Sequence, residues 1–145
     1  MAVDMHAHYL PQALAEQLRQ RRVAPRIEPL PDGKERLHLP IGTLAFSAAY
    51  TDMAARIAFL DQVGVRRQLL SLGGLLGIHS LPLAEAAPLT RVFNDDVGAL
   101  WRRYPDRFLG LAALPLADSA AAVSEFRRAR RELGLVGAIL PVNAF

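Results

Sequence analysis

Two histidines separated by a single residue, His6 and His8, follow an aspartate at Asp4. On a β-strand successive side chains alternate faces, so Asp4, His6 and His8 are expected on one face and Val3, Met5 and Ala7 on the other. Two imidazoles so placed can reach one borderline-soft cation such as Zn²⁺, with bonds near ~2.0–2.1 Å. Asp4, one step deeper, can orient a ligand histidine from behind. The apolar Val3 and Met5 predict a buried strand, and a buried imidazole without a partner is costly, which favours a metal role over plain polar surface.

Other groups carry less chemistry. His79 lies in the loop containing Gly73, Gly74 and Gly77 and is read as a substrate contact at the mouth of the site. His38 reads as surface. The run Gly73-Gly74-Leu75-Leu76-Gly77 lacks the spacing and the strand-to-helix setting of a dinucleotide loop. Asn94, Asp95 and Asp96 read as a solvated helix face with one buried Asn contact. Trp101 and Tyr104, at helical spacing, read as core. No residue is assigned as the catalytic acid or base.

The elements that must position these groups can be read from periodicity. Residues 3–8 form a first strand, and Pro11 opens a helix to about Arg22, proline being well suited to a first helical turn. Pro25, Pro29, Pro31 and Pro40 break any helix over residues 23–50. There, 26–28 and 36–39 flank the turn Pro31-Asp32-Gly33, which reads as a small hairpin insertion or flap. Thr51 is expected to cap a helix bearing Met53, Ile57, Leu60 and Val63, closed by Gly64. A strand over 65–72 follows, then a loop to about Pro88 and a helix ending before Pro105. An apolar strand spans 108–114, a helix capped by Asp118 or Ser119 ends at Gly134, and a last strand spans 136–140. Alternating strands and helices predict right-handed βαβ units and a parallel sheet covered on both faces. Four such units are half of a (β/α)8 TIM barrel, whose complete form takes about 250 residues. The fold class is therefore α/β, the N-terminal half of such a barrel with a β-hairpin insertion, and residues 1–145 are read as one partial-barrel domain.

Composition bounds the function. The 145 residues are 52% hydrophobic and 21% charged, a globular balance. Cysteine is absent, which excludes disulfides, thiolate metal sites and cysteine nucleophiles and suits a reducing cytoplasm, where the protein is expected. No apolar run could span a bilayer and no secretory leader is seen, so no membrane partner is expected. The net charge of +3 comes almost wholly from arginine, Lys34 being the sole lysine. The arginines pair on helix faces beside Glu125 and Glu132, a solvated pattern and not a nucleic-acid stripe.

Three stretches together carry a resemblance. Val3 to Pro11 (VDMHAHYLP), Arg56 to Val65 (RIAFLDQVGV), and Asn94-Asp95-Asp96 continuing through Tyr104-Pro105-Asp106-Arg107-Phe108 to Leu116 resemble the amidohydrolase-related family that includes aminocarboxymuconate-semialdehyde decarboxylase and other aromatic-acid decarboxylases. Glu132-Leu133-Gly134 also fits, and the likeness spans nearly all of the chain except residues 23–50. It implies a metal-dependent decarboxylase, or a hydrolase or hydratase on the same fold, acting on an aromatic or muconate-type carboxylic acid. It also implies one divalent metal ion, usually Zn²⁺. His6 and His8 match the family's first two metal ligands. The family's remaining metal-binding histidine and aspartate, and its proton-transferring histidine, come from the second half of the barrel and have no counterpart here. The chain alone is thus expected to be inactive and to pair as a homodimer or with the other barrel half; a non-catalytic truncated product is the third reading. Residues 42–50 lack the arginines with which aminocarboxymuconate decarboxylases hold substrate carboxylate, so that substrate is not matched.

Overall fold

The structure, a computed structural model, describes residues 2–141. The domain bounds read from the sequence, 1–145, extend at both ends beyond the described residues. Four strands, β1 (Ala2–His8), β5 (Val65–Ser71), β6 (Phe108–Ala112) and β7 (Gly137–Ala138), form one parallel sheet in the order β1-β5-β6-β7. Between β1 and β5 lie α1 (Gln12–Gln20), the strands β2 (Arg26–Pro29), β3 (Glu35–Leu39) and β4 (Gly42–Phe46), and α2 (Met53–Gln62). Helices α3 (Leu83–Arg103) and α4 (Ser119–Glu132) make the next two crossovers. The architecture is a run of parallel β/α units, as the alternation of patterns predicts. No helix among the described residues is long and apolar enough to cross a membrane.

Local chemistry explains most boundaries. Pro11 occupies the residue before α1 with an extended backbone, and Leu14, Ala15 and Leu18 bury its inner face. Helix α2 is capped by Asp52, whose carboxylate accepts from the Ala55 amide at 2.9 Å; Thr51 instead donates its hydroxyl to the Ala48 carbonyl, so the cap lies one residue later than expected. Helix α3 begins at Leu83, five residues before the expected end of the loop, and carries Pro88 inside it. The alanines around Pro88 favour helix strongly enough to absorb one missing amide. Ala86, Leu89, Phe93 and Val97 then form its buried stripe. Asp118 caps α4 by accepting from the Ala121 amide. Gly134 ends that segment at φ +73°, where a side chain would be strained and would also strike the Trp101 ring 2.5 Å away.

The sheet departs from expectation in three ways. Strand β7 pairs over only two residues, although Val136 and Ile139 continue the contact by donating to Gly110 and Ala112 carbonyls. Strand β6 is not covered on both faces: Phe108, Gly110 and Ala112 are buried, Gly110 lying directly beneath Val97 of α3, while Leu109 and Leu111 are half-exposed on the opposite face. Strand β1 is not buried either, since Val3 is 50% and Met5 64% exposed. It is the outermost strand of the described sheet, with β5 its sheet neighbour, so neither face is fully packed. The segment between α1 and α2 is a three-stranded antiparallel sheet, β4 adding to the expected hairpin of β2 and β3.

An outermost strand bearing exposed Val3 and Met5 offers unpaired peptide groups and apolar side chains to another chain. Residues 1–145 in isolation are therefore expected to associate, with a sedimentation coefficient that rises with concentration. Val3→Lys, which puts a charge on that edge, should shift the distribution toward monomer. A concentration-independent monomer of the unaltered chain contradicts this.

Candidate functional site

The C-terminal end of β1 brings two imidazoles together. His6 Nε2 and His8 Nε2 stand 3.3 Å apart, with ring planes crossed at 76°. Two metal–nitrogen bonds of ~2.0–2.1 Å meeting at the tetrahedral angle place their nitrogens about 3.3–3.4 Å apart. The pair thus has the spacing of two ligands on one ion. Ser71 Oγ lies 3.4 Å from His8 Nδ1, which leaves Nε2 as the nitrogen turned toward His6. Partial burial, then the neighbouring His6, hold the His8 imidazole below its usual pKa, so at neutral pH it keeps a free lone pair. Among the described residues no group of three or more His, Asp or Glu side chains gathers as a metal site. His6 and His8 account for two donors.

Asp4 takes a different position from the one simple alternation predicts. The β1–β5 register shifts between Asp4 and Ala7, which breaks the strict two-residue repeat. One Asp4 oxygen accepts from the main-chain amide of His6 at 3.1 Å, and the other from the Gln68 side-chain amide at 2.9 Å. These bonds, the His6 amide first, hold the Asp4 carboxyl below the usual carboxylate range. Asp4 therefore meets the backbone of the His6 residue, while the imidazole turns to His8.

The residue after the pair opens a second polar contact. Tyr9 is buried and donates its hydroxyl to Asp96 of α3 at 2.9 Å. Burial, reinforced by the Asp96 charge, drives the Tyr9 pKa well above its usual value. Burial likewise raises the Asp96 carboxyl, against the opposing effect of the Tyr9 hydrogen bond. The Asn94-Asp95-Asp96 triplet on α3 consequently divides. Asn94 is wholly buried and exchanges two hydrogen bonds with the Ala113 main chain. Asp95 pairs with Arg128 at the surface, and Asp96 faces the site strand instead of solvent.

Beside His8 lies an apolar cavity of about 150 Å³, walled by Leu37, Leu39 and Leu44 of the small sheet and by Tyr50, Leu75 and Leu76. His79 is 7% exposed on a 3-10 turn over Ile78–Ser80, where its carbonyl accepts from the Leu116 amide. It lines a smaller void that shares Gly73 with the His8 cavity. It is thus built into the interior rather than overhanging a mouth. His38 pairs with Glu28 at 2.7 Å within the small sheet. A larger open groove, about 770 Å³, runs along α4 between Arg91, Ser119, Arg127 and Arg131, and no histidine lines it.

Sequence reasoning missed three partners of the histidine strand. Gln68 is a buried polar residue of β5, between the arginines Arg66 and Arg67 and the apolar Leu69 and Leu70. Arg56 lay within a stretch matched by resemblance but without a role. Tyr9 follows His8 directly.

Comparison with known proteins bears on the family and the fold. A family model described as amidohydrolase matches residues 3–144. Gamma-resorcylate decarboxylase of Rhodococcus jostii is 40% identical over 91 residues, 62% of this chain and 27% of that enzyme. The 2-amino-3-carboxymuconate-6-semialdehyde decarboxylase of Dictyostelium discoideum is 31% identical over 86 residues, covering 59% of this chain and 24% of that one. Among solved structures, a 5-carboxyvanillate decarboxylase from Novosphingobium aromaticivorans superposes with a TM-score of 0.70 at 23% identity. The match covers 95% of this chain and 41% of that one, and the structure holds manganese with 3-methoxy-4-hydroxy-5-nitrobenzoic acid. The chain thus spans well under half the length of each of these three relatives.

The buried Tyr9–Asp96 contact has a signature in pH. The folded-state pKa of Asp96 lies above its unfolded value, so ionising it opposes folding. The favourable contribution of the protonated acid is present below the unfolded value and is lost as pH rises through the folded one. Asp96→Asn, which can still accept from Tyr9, is therefore expected to raise the melting temperature at pH 7. That gain should shrink as pH falls through the raised folded value and be gone below the normal carboxylate range. Melting curves from pH 3 to 7 test this, and a gain that is constant with pH would contradict it.

Proposed function

Since the chain belongs to the amidohydrolase family, we propose that it supplies the opening β/α units of a metal-dependent decarboxylase acting on an aromatic carboxylic acid. The observation that carries this reading is the 3.3 Å approach of His6 Nε2 and His8 Nε2, a separation that two imidazole ligands of one tetrahedral ion would have. We assign the ion as Zn²⁺, for which nitrogen donors at this spacing are suited; manganese is the competing outcome. When bound, the ion supplies a Lewis acid and lowers the pKa of coordinated water.

The residues of this chain do the remaining work assigned to it. His6 and His8 donate two nitrogens, and the depressed pKa of His8 keeps its nitrogen unprotonated near neutrality. Asp4 fixes the His6 backbone from behind. The leucine-walled cavity takes the substrate ring, for which about 150 Å³ is enough room for one benzene-sized ring. In this reading residues 23–50 act as a flap, because Leu37, Leu39 and Leu44 wall that cavity from the small sheet and shield a bound ring from water. His79, buried beyond Gly73 around a void of about 10 Å³, is read as backing the far wall of the substrate cavity. The absence of arginine from residues 42–50 and the aromatic acids named for the Rhodococcus and Novosphingobium enzymes support an aromatic over a muconate-type substrate. In this reading the remaining ligands and the proton donor are not among the described residues. A hydrolase on the same scaffold is the alternative, since fold does not fix chemistry.

Carbon dioxide release from 2,6-dihydroxybenzoate, 5-carboxyvanillate and 2-amino-3-carboxymuconate 6-semialdehyde tests the proposal. It should be measured on the 145-residue chain and on the longest in-frame product of its gene, each loaded with Zn²⁺ or Mn²⁺. The chain alone should be inactive. The longer product should act on an aromatic acid, with His6→Ala and His8→Ala each removing metal and at least about a hundredfold of the rate, since loss of a ligand removes the ion's contribution as a whole. Ester or lactone hydrolysis without carbon dioxide release would move the assignment to a hydrolase, and full metal content and activity in the double variant would overturn the site.

A further inference from the structure

A closed circuit of hydrogen bonds runs behind the two histidines and joins three elements. The His6 amide donates to Asp4 Oδ1 at 3.1 Å; Gln68 Nε2 of β5 donates to Asp4 Oδ2 at 2.9 Å. Arg56 of α2 donates Nη1 to Gln68 Oε1 at 3.2 Å and Nη2 to the His8 carbonyl at 2.9 Å. The circuit therefore grips the backbone of His6 at its amide and that of His8 at its carbonyl. It spans the stretch of β1, between Asp4 and Ala7, where the register with β5 shifts. Met5 and His6 have no register partner on β5, so at His6 the side-chain circuit adds anchoring where the ladder is interrupted, while His8 keeps its partner Ser71.

The members are suited to this and to little else. Gln68 is 7% exposed in a strand segment whose following residues are Leu69 and Leu70, a setting that favours an apolar residue unless both ends of the amide are satisfied. Here one end donates and the other accepts. Arg56 is half-buried, its guanidinium carbon 5.7 Å from the Tyr9 ring centroid. Its planar fork serves two acceptors at fixed angles, which a lysine ammonium on a flexible stem would not reproduce.

We propose that Arg56 and Gln68 are positioning residues for the His6–His8 pair, holding the two ligand nitrogens at metal-binding separation through the backbone. Neither residue touches the ion or substrate. The inference rests on the metal reading of His6 and His8, and its test is arranged to separate the two. Zn²⁺ is titrated calorimetrically into the 145-residue chain, well below its melting temperature, for seven proteins: wild type, His6→Ala/His8→Ala, Arg56→Met, Arg56→Lys, Gln68→Leu, Arg56→Met/Gln68→Leu and Val97→Ala. Partners behind metal ligands are commonly worth about tenfold or more in affinity. Arg56→Met and Gln68→Leu should each weaken Zn²⁺ binding about tenfold, with Arg56→Lys intermediate. Combining Arg56→Met with Gln68→Leu should cost little more than either alone, because either breaks the same circuit. Val97→Ala, which removes core packing between α3 and β6, should lower the melting temperature while leaving affinity unchanged. Equal affinity in wild type, Arg56→Met and Gln68→Leu, with the double histidine variant weaker, overturns the positioning role alone. Wild type no tighter than the double histidine variant overturns both the metal reading and this inference. Should Arg56→Met fail to fold, Gln68→Leu and Arg56→Lys carry the same comparison.

Discussion

The parallel ladder between Ala2–His8 and Val65–Ser71 is the contact on which the site depends, and it is an irregular one. Its register shifts between Asp4 and Ala7, so Asp4 is released from the alternation that would have set it beside the two imidazoles. It turns instead to Gln68 and the His6 amide. His6 and His8 remain free to face one another across 3.3 Å. A regular strand would put three polar groups in a row on one face; the shifted strand divides them into a ligand pair and a backbone anchor. The remaining strands add to this one ladder, β5 seating β6 and β6 seating β7.

Around that ladder two kinds of surface do separate work. The helix side is packed: Phe93, Val97, Phe108 and Leu135 are essentially inaccessible, and Asn94 locks α3 to the end of β6 through the Ala113 peptide groups. The opposite side, with Leu109 and Leu111 half-exposed and the histidine pair at its edge, is open. In a barrel that open side is the interior, filled by layers of side chains from all eight strands. The small sheet of β2, β3 and β4 closes part of the gap, and its leucines supply an apolar wall next to His8. Such walls set which ring can enter, whereas the metal pair sets what can be done to it. The two properties can therefore vary independently on one scaffold.

Much of this was legible in the sequence for definite reasons. His6 and His8 share a strand face at two-residue spacing, and they still meet although His6 lies within the register shift between Asp4 and Ala7. Parallel β/α order followed from the alternation of apolar strands with amphipathic helices, Gly134 marked one helix end, and of the two cap candidates Asp118 and Ser119 it is Asp118 that caps α4. What failed depended on neighbours. Val3 and Met5 read as buried, but burial belongs to the strand's place in the sheet, and β1 is outermost. Pro88 read as a boundary, yet the alanines around it favour helix enough to carry it. Thr51 and Asp52 are both competent caps, and only backbone geometry selects Asp52. Gln68 and Arg56 could not have been joined from sequence, since their contact, and theirs with Asp4 and His8, is set by how α2 lies against β5. Asp96 looked solvated for the same reason, because Tyr9 is 87 residues away in sequence.

The central claim is that His6 and His8 bind one ion together. Zinc K-edge X-ray absorption on the protein loaded with one equivalent of Zn²⁺ tests it most directly. The account predicts a first shell of nitrogen and oxygen near ~2.0–2.1 Å with outer-shell scattering from two imidazole rings. It also predicts that the imidazole scattering falls to one ring in His6→Ala or His8→Ala. A spectrum without imidazole scattering, or one unchanged when both histidines are replaced, would contradict it.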